Sequence, residues 1–118
     1  MQKIFIPQVV VETPAYLNSV EKIWDEVTQT EFKNYIAENF LNGDIIPNTG
    51  GLRKIRWQGS GRGKRGGARI IYYLYNENFS IYLLFAYPKN EKDELTEYEK
   101  KLLRYFVQKL KNYFRGKE

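Results

Sequence analysis

From Phe79 to Tyr87 the chain runs Phe-Ser-Ile-Tyr-Leu-Leu-Phe-Ala-Tyr, nine residues with Ser80 as the one small polar side chain. A half-exposed strand alternates apolar and polar residues, so an unbroken run of this length reads as an inner strand covered on both faces. The fold must therefore supply a layer of structure on each side of a sheet. It has 118 residues to do so, enough for one compact domain over 1–118 and not for two.

The covering layers are legible as helices. Thr13 is placed to cap a helix with Pro14 at its first position, and Tyr16, Leu17, Val20, Ile23 and Trp24 recur at helical spacing. A second helix is expected from Thr28, where Glu31 completes a capping box, with Phe32, Tyr35, Ile36 and Phe40 as its apolar stripe and Gly43 as its C′ residue. These two form a helical hairpin. A last helix begins at Thr96 with Glu99 at the capping-box position, and Leu102, Leu103, Phe106, Val107, Leu110 and Phe114 form its buried stripe. Three further segments read as strands. Lys3 to Glu12 is rich in β-branched and aromatic residues, and Pro7 makes it an edge strand or splits it; Leu52 to about Gln58 and Ala68 to Tyr75 precede the apolar run. Asp44 to Gly51, with Pro47 and Gly50-Gly51, is a loop. The fold class is α/β in the α+β sense, a small, mainly antiparallel sheet with an N-terminal helical hairpin and a C-terminal helix.

Charge singles out one part of this scaffold. Between Asp44 and Glu77 there is no acidic residue, and Arg53, Lys54, Arg56, Arg62, Lys64, Arg65 and Arg69 all fall in that gap. The segment carries +7 of a net +5, so the rest of the chain sums to −2. Gly59 to Gly67 holds five glycines in nine residues, which lets a backbone approach phosphates closely while the flanking cations neutralise them. Seven cations without an acid exceed what solubility requires, so we read the segment as a nucleic-acid surface. The phosphate-loop pattern of nucleotide-binding enzymes does not apply: Arg65 follows Lys64 where a hydroxyl residue is needed, and the loop joins two strands rather than opening a helix. Trp57, Tyr72, Tyr73 and Tyr75 are aromatics on strands and belong to the core ahead of any stacking role.

There is no cysteine and no histidine, which removes disulfides, thiol nucleophiles, zinc-thiolate sites and the usual imidazole base. We expect neither a metal nor a cofactor. Strand alternation puts Lys54 and Arg56 on one face and Arg53, Ile55 and Trp57 on the other. If the neighbouring strands pair, Arg69 joins Lys54 and Arg56 on one sheet face. Such cations bind a phosphate and stabilise charge that builds on its oxygens during phosphoryl transfer. From chemistry alone, catalysis and plain phosphate binding are equally open. Met1 to Val11 lacks the apolar core of a signal peptide, and nothing approaches the roughly 20 apolar residues of a membrane span, so a cytoplasmic protein without membrane partners is expected.

The run Ile46-Pro47-Asn48-Thr49-Gly50-Gly51-Leu52-Arg53-Lys54-Ile55-Arg56-Trp57, followed by Gly63-Lys64-Arg65-Gly66-Gly67-Ala68-Arg69-Ile70-Ile71-Tyr72-Tyr73, resembles the RelE/HigB superfamily of bacterial toxin–antitoxin toxins, and specifically its HigB-like branch. Tyr87-Pro88-Lys89-Asn90-Glu91 is similar to the family's last strand and polar exit. The resemblance implies a RelE-like fold and a toxin that cleaves mRNA in the ribosomal A site, with the substrate's 2′-hydroxyl attacking the adjacent phosphate. It implies catalytic roles for Lys54, Arg56, Arg69, Tyr87 and Lys89, and RNA contacts from Arg53, Arg62, Lys64 and Arg65. It also implies a ribosome and mRNA as partners, and a cognate antitoxin of the helix-turn-helix, HigA-like kind. The family's best-known members carry a second arginine after the lysine and a tyrosine near the start of the C-terminal segment; this chain has Asn90 and Thr96 there. The general base is therefore one of Lys54, Tyr87, Lys89 and Tyr98. The alternatives are a non-catalytic nucleic-acid binder and a ParE-type DNA gyrase inhibitor of the same fold.

Overall fold

The computed structural model describes residues 9–58, 67–75, 80–89 and 94–116. The loop cations Arg62, Lys64 and Arg65 lie outside the described residues, as does the start of the first expected strand. Strand β1, Val9–Glu12, is followed by helix α1, Pro14–Val20, and helix α2, Glu26–Glu38. Two residues, Asp44–Ile45, form strand β2; then come β3, Leu52–Trp57, β4, Ala68–Tyr75, β5, Ser80–Pro88, and helix α3, Glu97–Arg115. Among the described residues no helix is long and apolar enough to cross a membrane.

The five strands form one sheet in the order β1-β5-β4-β3-β2. β1 runs parallel to β5 and every other pairing is antiparallel. The two helices after β1 carry the chain to the opposite edge of the sheet, and β3, β4 and β5 return as the expected meander. β5 therefore lies inside the sheet, as its composition requires. One of its faces contributes Ile81, Leu83 and Ala86 to a core with Tyr16, Val20, Trp24, Phe32 and Ile36. The other contributes Tyr82, Leu84 and Tyr87 to a second core with Val107 of α3, backed by Leu103, Phe106 and Leu110. Tyr72, Tyr73 and Tyr75 are buried, and the Trp57 ring packs 5.4 Å from both Trp24 and Phe32.

The caps explain where the helices begin. The Thr13 hydroxyl accepts from Tyr16 N at 3.2 Å and donates to Leu83 O at 2.8 Å, so one side chain starts α1 and pins it to β5. Thr96 and Glu99 form the expected reciprocal box, Thr96 N to Glu99 Oε1 at 2.9 Å and Glu99 N to Thr96 Oγ1 at 3.1 Å. α2 departs from the expectation. It is capped by Asp25, whose carboxylate accepts from Thr28 N at 2.8 Å; a carboxylate is at least as good a cap as a threonine and also opposes the helix dipole, so Thr28 is already inside the helix. The other end is earlier too. α2 stops at Glu38 with Asn39 as cap, and Gly43 serves the sheet instead: its N–H donates to the Tyr72 hydroxyl at 3.0 Å in a space where a Cβ would lie 2.5 Å from that oxygen. Leu102 of α3, expected in the buried stripe, is exposed because the stripe facing the sheet is centred on Leu103, Val107 and Leu110.

Candidate active site

The register of three strands decides what meets on the α3 side. Arg56 of β3 is directly opposite Arg69 of β4, and Arg69 is directly opposite Tyr87 of β5. Directly opposed residues place their Cβ atoms about 5 Å apart, so three side chains form a row across the sheet. Lys54 stands two residues before Arg56 and shares its face, in line with Ile71 and Phe85. Lys89 stands two residues after Tyr87, held by its N–H donating to Gly67 O at 3.1 Å.

A bulge brings β5 into this alignment. Tyr72 pairs with Leu83 but Ile71 pairs with Phe85, so Leu84 is an extra residue in β5. A one-residue slip sends every later side chain to the other face. Without the extra residue, Ala86 would stand opposite Arg69 and Tyr87 would point toward α1 and α2. The bulge thus places Tyr87 and Lys89 on the face of Lys54, Arg56 and Arg69.

All five residues expected to be catalytic share that face. Arg56 is exposed, and Lys54, Arg69 and Lys89 are half-buried. Tyr87 is only 2% exposed and packs 6.2 Å from the Phe85 ring, a floor beneath the cations. Tyr98, by contrast, projects from the first turn of α3 and is 69% exposed. Arg53 points to the opposite face, where its guanidinium donates to Gly43 O at 2.9 Å and to Leu41 O at 3.4 Å; it fastens the segment before β2.

The loop that leads into β3 is fixed just as firmly. Ile46 N donates to Leu52 O at 2.8 Å, and the buried Thr49 hydroxyl donates to Ile46 O at 2.6 Å while accepting from Leu52 N at 3.2 Å. The turn passes through positive φ at Asn48, Gly50 and Gly51, at 61°, 77° and 110°, which explains the paired glycines. From α3, Arg104 donates to Asn48 O at 3.0 Å. Sequence reasoning did not single out Arg104. Its position, two residues after the exposed Leu102 on the helix, carries no local signal for a contact 56 residues away in sequence.

The family model of the RelE toxin of the RelE / RelB toxin-antitoxin system matches residues 19–117. The chain belongs to the RelE toxin family. The solved structure of an arginine-substituted mutant of the E. coli toxin RelE in its free state is similar in fold, with a TM-score of 0.54 at 12% identity, over 75% of this chain and 90% of that one. For a RelE-family toxin the mixed architecture, a five-stranded sheet with helices on both faces, is the expected scaffold.

Proposed function

We propose that this RelE-family toxin is a ribosome-dependent endoribonuclease that cuts mRNA in the ribosomal A site and so stops translation. Supporting this reading is the row of Arg56, Arg69 and Tyr87 in direct register, flanked on the same face by Lys54 and Lys89. Two guanidiniums side by side match the oxygens of one phosphodiester and neutralise the charge that grows on them as phosphorus becomes five-coordinate.

The reaction needs no metal. The substrate's 2′-oxygen attacks the adjacent phosphorus, the bond from phosphorus to the 5′-oxygen breaks, and the products are a 2′,3′-cyclic phosphate and a 5′-hydroxyl. The 2′-hydroxyl proton passes to a general base and the departing 5′-oxygen receives a proton from a general acid, and we assign these roles to Lys54 and Lys89 in turn. Tyr87, buried and directly opposite Arg69, completes the row. Arg62, Lys64 and Arg65 hold the RNA backbone through charge. Within the family we assign the chain to the HigB-like branch on its Leu-Arg-Lys and Gly-Lys-Arg-Gly-Gly runs, with a helix-turn-helix antitoxin and a site of action in the cytoplasm.

A gyrase-inhibiting toxin of the same fold does not require this row, whereas a passive nucleic-acid binder would use its cations to hold phosphates and leave the RNA uncut. The deciding experiment maps mRNA 5′ ends after brief expression. Cuts that repeat with the reading frame, and vanish in Arg69→Ala, are expected. If intact mRNA accompanies arrested growth, or if DNA replication stops before translation does, the endonuclease reading is wrong.

A further inference from the structure

Helix α3 has two faces with different fates. Leu103, Val107 and Leu110 pack on the sheet. On the outer face Tyr98, Leu102, Tyr105 and Tyr113 are 69%, 50%, 63% and 59% exposed. With Lys109 they follow a spacing of 4, 3, 4 and 4 residues, which confines them to one stripe of the helix about 22 Å long. Four large exposed side chains in one line exceed the scattered apolar residues of an ordinary surface. Past its first turn, which holds Glu97 and Glu99, the helix is basic, and Lys109 lies in the stripe with Lys101 beside it, while Lys100 pairs with Glu97, Arg104 reaches Asn48 O and Lys111 lies over the Tyr73 ring. Lys109 Nζ lies 5.4 Å from the centre of the Tyr105 ring, so cation and aromatic face form one surface.

We propose that this stripe is a docking surface for an acidic amphipathic helix, which in a toxin–antitoxin system is a segment of the antitoxin. The inference rests on the family assignment and not on RNA cleavage. The spacing is that of a helix–helix seam, in which side chains three and four residues apart fit between those of a partner helix. Tyrosine is one of the residues enriched among the anchors of such contacts. Lys101 and Lys109, along the middle of the stripe, are complemented by aspartate or glutamate on the partner helix. A second copy of this chain would bring Lys101 and Lys109 against their own kind. RNA would satisfy the cations but would leave Leu102, in mid-stripe, without an apolar partner, and a convex helix offers unpaired bases no platform of the kind a sheet does.

The test uses the full chain and its cognate antitoxin, identified as the protein whose co-expression restores growth to cells producing the toxin. Calorimetric titration compares wild type with Leu102→Glu/Tyr105→Glu and with Lys109→Glu. All three positions are on the outer face, so a thermal melt close to wild type is expected. The double variant should bind at least about 100-fold more weakly and Lys109→Glu about 10-fold more weakly, while both still cleave mRNA as wild type does. Binding within about threefold of wild type in the double variant overturns the proposal. So does a double variant that binds the antitoxin normally but loses cleavage, which would assign the stripe to RNA, or loss of a wild-type dimer in sedimentation, which would assign it to self-association. If wild type binds the antitoxin through the stripe and cleaves no RNA, the endonuclease reading fails and this one stands.

Discussion

Replacing Tyr72 by phenylalanine removes a single oxygen, and the structure gives that oxygen two partners. It donates to Phe40 O at 2.7 Å and accepts from Gly43 N at 3.0 Å, and the side chain is wholly buried. Tyr72→Phe removes both bonds, leaving the Gly43 N–H without this acceptor and the Phe40 carbonyl without this donor. An orphaned buried polar group costs about 1–3 kcal/mol, and with the carbonyl added the loss should reach about 2–4 kcal/mol. For a domain of this size that lowers the melting temperature by about 10–20 °C. The effect should appear in thermal and urea unfolding with an unchanged urea slope, since the exposed surface hardly differs. Gly43→Ala attacks the same contact from the other side. Its Cβ would lie 2.5 Å from the Tyr72 oxygen and 2.8 Å from the ring carbon Cε1, so the ring must swing away at a cost of about 1–3 kcal/mol. With the hydroxyl already gone, part of that clash disappears, and the double variant should be less destabilised than the sum of the two. A Tyr72→Phe loss below about 0.5 kcal/mol, the range of ordinary surface substitutions, or strict additivity with Gly43→Ala, would refute the account of why a glycine stands there.

Arg56 faces another guanidinium across the strand pair and is exposed, and like charges directly opposite destabilise a sheet. Arg56→Ala should therefore change unfolding free energy by no more than about 0.5 kcal/mol while lowering the cleavage rate about 100-fold or more; a variant that melts much earlier would mean the row is structural. Burial raises the phenol pKa of Tyr72, and burial with the nearby Glu12 carboxylate raises that of Tyr16, both above the ordinary 10.0. A raised folded-state pKa gives stability that is complete below the unfolded value and lost as pH climbs toward the folded one. Unfolding free energy should thus stay level through neutral pH and fall above about pH 10, with a matching late component in tyrosinate absorbance; two tyrosines titrating normally before any unfolding would contradict it.

What the sequence made legible follows from which forces are local. The meander, the covered inner strand and the reciprocal cap at Thr96 and Glu99 are set by short-range pattern, and they stand where the residues pointed. The face shared by Lys54 and Arg56 follows from alternation within one strand. The start of α2 is not fixed by local pattern, because Asp25 and Thr28 both satisfy capping rules and only the actual bond from Thr28 N to Asp25 Oδ1 distinguishes them. Locally Gly43 has the pattern of a helix terminator, because nothing nearby announces Tyr72, 29 residues away. β2 escaped notice because two residues make no periodic pattern; they form a strand only through pairing with Arg53 and Lys54. Long-range contacts decide these points, and a single sequence does not display them.

The candidate site depends on one such point more than on any other. The expected convergence of Lys54, Arg56 and Arg69 needs only that β3 and β4 pair with these residues in register. Adding Tyr87 and Lys89 needs more, because β5 must arrive in the correct phase. In β5, Phe85 faces α3 opposite Ile71, Leu83 faces α1 and α2 opposite Tyr72, and Leu84 between them sits in the α3-side core. Leu84 and Phe85, adjacent in sequence, therefore bury on the same side, which uniform alternation forbids. The near-continuous apolar composition that marked this strand as inner also conceals its phase, since every residue from Ile81 to Tyr87 can be buried on either side. A polar residue among them would have fixed the register in the sequence and left less freedom to bulge. The same apolar run that dictates a three-layer fold thus permits the one-residue shift by which the last strand turns its end toward the basic row.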